Sequence, residues 1–145
     1  MRITIPILII LATTQISGYA QGMSKFEAIA QSVLNQQAAA WNIGDLDAFM
    51  ETYWKSPDLQ FISKNGMASG WEATRTRYYR TYPDRKAMGH LDFELIRVDK
   101  RSKNLMTVIG KYHVKREELE DLAGTFVLIL QRIHGNWSIT LDSTH

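Results

Sequence analysis

The chain has 145 residues, of which 45% are hydrophobic and 22% charged, and its formal net charge is +2. This length fits one domain, and the composition favours a packed core over disorder. The chain has no cysteine, which excludes disulfides, thiolate catalysis and cysteine-ligated zinc, and its nearly balanced charge argues against a face that binds nucleic acid.

The first 20 residues have the features of a signal peptide. Arg2 is followed by the apolar run Ile3–Ala12, and Gly18-Tyr19-Ala20 places small residues before a cleavage site at Gln21. The run is shorter than the roughly 20 apolar residues that cross a bilayer. We therefore expect residues 1–20 to be removed and residues 21–145 to form one periplasmic or secreted domain without a membrane segment. A retained N-terminal anchor is the alternative.

Two helices are predicted at the start of the mature chain. Ser24 and Glu27 have the spacing of a capping box, in which each side chain satisfies a free backbone N–H of the first turn. Apolar residues then recur at helical spacing as far as Trp41. Gly44 suits the end of this helix, and Asp45 can cap a short second helix immediately afterwards.

A short strand and a third helix are predicted next. The strand is Leu59–Ser63, and a turn follows at Asn65-Gly66. Ser69 and Glu72 are spaced as a second capping box, which predicts a helix that ends before Pro83. One face of that helix carries a stripe, and most of the charged side chains lie elsewhere; the stripe consists of Trp71, Thr74, Tyr78 and Tyr82. Residues 82–85 are expected to form a loop.

Four strands are predicted in the last third of the chain: His90–Val98, Leu105–Arg116, Thr125–Ile133 and Asn136–Asp142. The apolar residues of the first change parity near Leu95-Ile96, which indicates a β-bulge. The third is apolar on both parities, so we expect both of its faces to be covered. In the last strand Trp137, Ile139 and Leu141 share one parity, and Asp142 falls on the other with Ser138 and Thr140.

The connections between these strands also have clear signatures. Lys115–Asp121 is a charge run typical of a solvated hairpin end, and His134-Gly135-Asn136 is a tight-turn signal. The predicted order is α-α-β-α-β-β-β-β, which indicates an α+β fold with N-terminal helices packed in a strongly curved, mostly antiparallel sheet. A bent sheet around one long helix leaves a cone with an open mouth, a concave place that ligands favour.

An ordered set of residues between Ser24 and the C-terminus supports this architecture. The set comprises Ala40-Trp41-Asn42, Gly44-Asp45-Leu46-Asp47, Phe49, Tyr53-Trp54, Leu59, Phe61, Gly70-Trp71, Tyr78, Tyr82, Gly135-Asn136-Trp137, Ile139 and Asp142. With these residues the chain resembles the nuclear transport factor 2-like superfamily, in its SnoaL-like and ketosteroid-isomerase-like branch, and in particular its small secreted bacterial domains of unknown function. The resemblance implies a cone-shaped α+β barrel, commonly a homodimer through the sheet, with a pocket between sheet and helices.

Two positions depart from the catalytic members of that superfamily. Isomerase members have an acidic base just after the first short strand, whereas Ser63 occupies the matching position. A hydroxyl without a basic partner cannot abstract a proton from carbon near neutral pH. Cyclase-like members often have a histidine directly after an aspartate near the C-terminus, whereas Asp142 is followed by Ser143.

Several residues are candidates for a site. Asp142 is the candidate acid, either as a base or as a group that binds a donor; pairing with an arginine at the sheet rim is the alternative. Tyr78 and Tyr82 are one helical turn apart and can point into the cone together, although both could be core residues. Tyr53 and Trp54 follow the second helix near the expected pocket wall.

Other residue types give weaker signals. Arg77 and Arg116 could hold an acidic ligand, with simple exposure as the alternative for each. The four histidines lack the spacing of metal ligands, so no metal site is predicted. No phosphate-binding glycine pattern or nucleophile elbow occurs, and no cofactor is predicted.

Three functions remain open from the sequence. The leading hypothesis is a secreted or periplasmic homodimer whose pocket binds a small apolar or aromatic molecule. The second is a cofactor-free isomerase, lyase or cyclase, in which Asp142 is the base and Tyr78 or Tyr82 stabilises an enolate. The third is a dimerisation or association module, because the two-faced strand Thr125–Ile133 suits contact between two sheets.

Overall fold

The computed structural model describes residues 22–145, so the predicted signal peptide at residues 1–20 lies outside the described residues. The helices are α1 Lys25–Asn42, α2 Leu46–Met50, α3 Trp71–Thr81 and α4 Arg85–Met88. The strands are β1 Gln60–Ser63, β2 Gly66–Ser69, β3 His90–Ser102, β4 Leu105–Lys115, β5 Leu122–Ile133 and β6 Asn136–Thr144. Within residues 22–145 no helix has both the length and the apolar character needed to cross a membrane.

The six strands form one curved, unclosed sheet in the order β2-β1-β6-β5-β4-β3. Neighbouring strands are antiparallel except β1 and β6, which run parallel. The helices pack against the concave face, and the buried core residues of β4 and β5 come from one parity of each strand: Met106, Val108, Val114, Phe126, Leu128 and Leu130. The predicted α+β class and the mostly antiparallel, curved sheet are confirmed.

The end of α1 is fixed to the start of β3 by hydrogen bonds. The indole N–H of Trp41 donates to the Met88 carbonyl oxygen at 2.9 Å. The Asn42 side chain both accepts from the backbone N–H of Leu91 at 2.7 Å and donates to its carbonyl at 3.0 Å. Arg85 also donates to the Trp41 carbonyl at 2.7 Å, an acceptor that it shares with the Gly44 N–H. These contacts hold the long helix at a fixed angle inside the cone.

Most of the local signals give the predicted structure. Ser24 and Glu27 form the capping box of α1, and the Asp45 side chain accepts from the Ala48 N–H at the start of α2. In β3 the pairing shifts between Leu95 and Arg97, so Ile96 is the extra residue of the expected bulge. The tight turn after β5 has positive φ at both His134 and Gly135, as a type I′ hairpin requires.

The middle of the chain differs from the prediction at three points. Ser69 and Glu72 do not form a capping box; Gly70 occupies the cap position of α3 with φ 95° and no side-chain hydrogen bond. The Ser69 hydroxyl instead donates to the Gln60 side chain at 3.2 Å, because Ser69 ends β2, a strand that was not predicted. The expected loop at residues 82–85 contains the cap of α4, where the Asp84 side chain accepts from Ala87.

The outer face of β5 is not covered within the chain. Phe126, Leu128 and Leu130 are buried on the concave side, whereas Val127 on the convex side is 38% exposed. The prediction that both faces of Thr125–Ile133 are covered is therefore wrong for a single chain, because the helices lie on the concave side.

A bulge in β6 determines which of its residues face the core. Ile139 pairs with Leu130, but Leu141 pairs with Ile129, so Thr140 is an extra residue. The bulge reverses the alternation, and Asp142 therefore faces the same side as Ile139. The predicted division of this strand, with Asp142 opposite Ile139, is wrong for that reason.

Candidate functional site

A cavity of about 420 Å³ lies between the concave face of the sheet and the helices α1, α2 and α3. Its walls are mainly apolar and aromatic, with apolar contributions from α1 through β5: Leu34, Trp41, Phe49, Phe61, Leu91, Phe93, Tyr112, Val114, Phe126 and Leu128. This volume and this type of lining are those of small-molecule pockets in general. The expected hollow between sheet and helices is present.

The rings of Tyr78 and Tyr82 both lie on the cavity wall. Tyr78 packs edge-on against Phe49 at 5.1 Å and against Phe61 at 5.4 Å between ring centroids. Tyr82 makes a similar contact with Trp41 at 4.7 Å. Edge-to-face contacts of this kind stabilise aromatic pairs beyond the area they bury. The two tyrosines therefore line the cavity and also pack in the core. The sequence had left these two roles as alternatives.

Asp142 is the one acidic side chain on the cavity wall in the described part of the chain, and it is only 4% exposed. The Tyr53 hydroxyl donates to its Oδ2 at 2.6 Å, and the Thr144 hydroxyl donates to its Oδ1 at 2.5 Å. Burial raises the pKa of Asp142, and these two hydrogen bonds oppose that shift. Among residues 22–145 no arginine pairs with Asp142, so the alternative of a rim ion pair is wrong there.

The hydrogen bonds continue from Tyr53 to Tyr78, whose hydroxyl oxygens are 3.1 Å apart. A hydroxyl has one proton, and Tyr53 gives its proton to Asp142, so Tyr53 accepts from Tyr78. We refer to Tyr78, Tyr53 and Asp142 in this order as the buried relay. Burial, the largest cause, and the neighbouring Asp142 raise the pKa of both tyrosines well above the ordinary value.

The direction of the buried relay decides what Tyr78 offers to a ligand. Since the proton of Tyr78 is directed to Tyr53, the free lone pair of Tyr78 is available to accept a hydrogen bond from the cavity. The Tyr53 hydroxyl stands between Asp142 and Tyr78, so these two groups do not face each other across an open space. The relay is thus suited to hold a polar group of a ligand.

The remaining predicted residues differ in position. Arg116 lies on the cavity wall, and Tyr53 does so as part of the buried relay. Trp54 is not on this wall: Tyr53 forms a strand-like bridge with Ile139, and successive side chains of extended backbone point to opposite sides. The expectation that Trp54 lines the pocket is wrong for that reason.

Sequence reasoning missed several residues of the wall. Phe61 and Tyr112 could have been found, because each lies at an apolar parity of a predicted strand. Lys64, in the turn between β1 and β2, gave no signal. Arg77 and Ser63 were noted separately, but only the structure shows the 2.5 Å hydrogen bond from the Arg77 guanidinium to the Ser63 hydroxyl. Residues 22–145 contain no group of three side chains that could hold a metal ion.

Solved structures with this fold supply a comparison. An NTF-2-like protein of unknown function from Shewanella oneidensis is 33% identical over 81% of this chain and 96% of its own, with a TM-score of 0.77. A ketosteroid isomerase-like protein from Erwinia carotovora is 16% identical over 81% of this chain and 92% of its own, with a TM-score of 0.63.

A third similar structure is a candidate calcium/calmodulin-dependent protein kinase type II association domain from Thiobacillus denitrificans. It is 14% identical over 79% of this chain and 91% of its own, with a TM-score of 0.65. At such low identity the last two similarities show the fold alone. No model of a known protein family matches the chain, and no curated protein matches it.

Proposed function

Because this chain belongs to the nuclear transport factor 2-like (NTF2-like) family, we propose that it acts as a binding domain whose cavity holds a small molecule with an apolar or aromatic body. The observation that carries the proposal is the combination of a 420 Å³ aromatic cavity with the buried relay in its wall. Apolar walls provide affinity by burying ligand surface, and a few fixed polar groups orient the ligand.

The aromatic wall is held in place before any ligand arrives. Tyr78 contacts Trp41, Phe49 and Phe61, and its hydroxyl is bound to that of Tyr53. A preformed wall of this kind lowers the ordering cost of binding. The free lone pair on Tyr78 favours a ligand that presents a hydroxyl or N–H group there.

Titration with N-phenylnaphthylamine, a neutral fluorescent probe with an apolar aromatic body, tests this proposal. Leu122 lies on the cavity wall and Leu119 lies outside it, so the pair offers a matched comparison. We expect saturable binding of one probe per chain, which Leu122→Trp abolishes and Leu119→Trp leaves unchanged. Thermal unfolding followed by circular dichroism establishes that both variants are folded.

Two outcomes would overturn the proposal. One is the absence of saturable binding to the folded wild-type protein. The other is equal binding to the two tryptophan variants, which would place the probe outside the cavity. Native mass spectrometry of the purified protein would in addition reveal any molecule that remains bound after isolation.

A second proposal concerns association of two chains through the convex face of the sheet. Val127 pairs with Ile109 and Ile129 pairs with Leu141 on this face, so apolar side chains occupy its centre. The candidate association domain with the same fold adds support. A homodimer through this face would cover the second side of β5. Secretion after cleavage near Ala20 remains a proposal from the signal-peptide features.

A further inference from the structure

Three cationic side chains from separate elements line the cavity: Lys64, Arg77 and Arg116. Lys64 lies in the turn between β1 and β2, Arg77 on α3, and Arg116 directly after β4. Lys64 is exposed and both arginines are half-buried, so the three mark the part of the wall that meets solvent. We call them the cationic rim.

None of the three is paired with an acid in the part of the chain that the structure describes. All ion pairs there involve other cations. Among the described residues, none of these three cations therefore has a direct ion-pair partner. An unpaired arginine or lysine on an ordinary surface is common and has no functional meaning by itself. Three that line one cavity create a local positive potential that favours an anion.

Neighbouring acceptors position the two arginines without using all their donors. Arg77 donates to the Ser63 hydroxyl at 2.5 Å and to the Gly66 carbonyl at 3.1 Å. Arg116 donates through both Nε and Nη2 to the Glu120 carbonyl oxygen. A guanidinium has five N–H donors, so each keeps N–H groups that can bind an oxyanion. These fixed forks suit carboxylate, sulfonate or phosphate oxygens.

Asp142 forms no ion pair with the cationic rim among the described residues. Both of its oxygens already accept hydrogen bonds, from Tyr53 and Thr144. Burial raises the pKa of Asp142, and the two hydrogen bonds oppose that shift. The cavity thus combines an apolar interior and a neutral or singly charged relay with three cations at its solvent side.

We propose that the ligand of this cavity is an organic acid with an aromatic or alicyclic body, whose anionic group binds the cationic rim while its ring system occupies the interior. This inference rests on the proposed function, because it requires the cavity to be a binding site. It adds the class of ligand, which the apolar wall alone does not determine.

A pair of fluorescent probes tests the proposal. Anilinonaphthalene sulfonate and N-phenylnaphthylamine share the same two aromatic groups, and only the first carries an anionic group. We expect the sulfonate to bind at least about tenfold more tightly than the neutral probe, as charge-assisted hydrogen bonds would produce. We also expect its affinity to fall with added sodium chloride, and that of the neutral probe to remain constant.

Variants of the cationic rim assign the effect to these residues. Arg116→Gln and Lys64→Gln are expected to weaken binding of the sulfonate by a much larger factor than binding of the neutral probe. Arg77 also holds the β1–β2 turn, so Arg77→Lys, which keeps the charge, is compared with Arg77→Gln. Arg80→Gln is the control, because Arg80 lies one turn further along α3 and does not line the cavity.

The outcomes separate this proposal from the one on which it rests. If both probes bind equally in the cavity and the rim variants change neither, the acid is ruled out as the ligand class and the binding function stands. If neither probe binds, both proposals fail. If Arg80→Gln weakens the sulfonate as much as Arg116→Gln, the anion responds to net charge and the cationic rim is not its site.

Discussion

The Tyr53 hydroxyl and the Asp142 carboxylate, 89 positions apart in sequence, are joined by a 2.6 Å hydrogen bond inside the protein. Tyr53 is only 2% exposed and Asp142 only 4%, so both groups have little access to water. The bond connects the segment after α2 to the end of β6, and it fixes the wall of the cavity at the place where helices and sheet meet.

Tyr53→Phe should lower the free energy of unfolding by about 1.5–3 kcal/mol, as expected for removing a buried hydrogen bond to a charged group. It should also raise the pKa of Asp142 further, because the Tyr53 hydrogen bond lowers that pKa. Urea unfolding measures the stability. Tyr112→Phe is the control, since the Tyr112 hydroxyl has no hydrogen bond among the described residues; a loss as large there would contradict the role given to Tyr53.

Asp142→Asn should change the dependence of stability on pH. Burial raises the folded-state pKa of Asp142 above the ordinary value near 3.8, so between these two values the folded protein binds more protons than the unfolded chain. Wild-type stability therefore loses a contribution as pH rises through that window. Because asparagine does not titrate, the stability of the variant has no such contribution to lose.

The measurement for Asp142 is the difference in unfolding free energy between variant and wild type, because other carboxyl groups contribute equally to both. Asp47 and Asp121 have lowered pKa values and stabilise the fold as pH rises, and their contribution cancels in the difference. We expect the difference to move in favour of the asparagine variant with increasing pH from about pH 4 upward and then to become constant. A difference that does not vary with pH would contradict the raised pKa.

Gly110→Ala should destabilise the protein by about 1–3 kcal/mol, the usual cost of overpacking a core. A Cβ atom at this position would lie 2.3 Å from the Phe126 ring and 2.7 Å from the backbone oxygen of Glu94, so the strands themselves would have to move. Gly22→Ala is the matched control, because a Cβ there meets nothing within 4 Å. Thermal unfolding of the two variants in parallel measures the loss of stability. Equal midpoints would contradict the close packing around Gly110.

Val127→Glu should convert a dimer into monomers if the convex face is the contact between chains. A carboxylate in the centre of an apolar interface would be desolvated without a partner. Light scattering coupled to size-exclusion chromatography measures the mass in solution. Met67→Glu is the control, because Met67 is 64% exposed on β2, an edge strand that β1 and β6 separate from β5. A wild-type protein that is monomeric at high concentration would rule out this association.

Local chemistry made a large part of the fold predictable. The capping box of α1 needs only Ser24 and Glu27, three residues apart, and both hydrogen bonds form. The bulge in β3 was visible because apolar residues on both sides of Leu95-Ile96 change parity. A pattern of this kind survives in the sequence whenever the residues that flank a bulge differ clearly in polarity.

The rest depended on contacts that no short stretch encodes. Residues 136–142 alternate without interruption, so the extra residue Thr140 left no mark in the pattern, and only pairing with β5 reveals it. Strand β2 is short and mostly exposed, and it exists because it pairs with β1. The relay between Tyr53 and Asp142 joins distant segments, and the sequence identified both residues without showing that they touch.

The bulge at Thr140 determines which side chains of β6 face the cavity. If Thr140 were paired in regular register, the alternation would continue without a break, which would bring Leu141 inward and turn Asp142 outward. Deleting Thr140 would instead leave Leu141 and Asp142 opposite Ile129 and Leu128, so Asp142 would stay inside. The chemistry of the interior is therefore set by the pairing of residues as well as by their identities. Within such a fold, loss of the bulge without loss of a residue would remove the carboxylate from the cavity and place its charge on the convex surface.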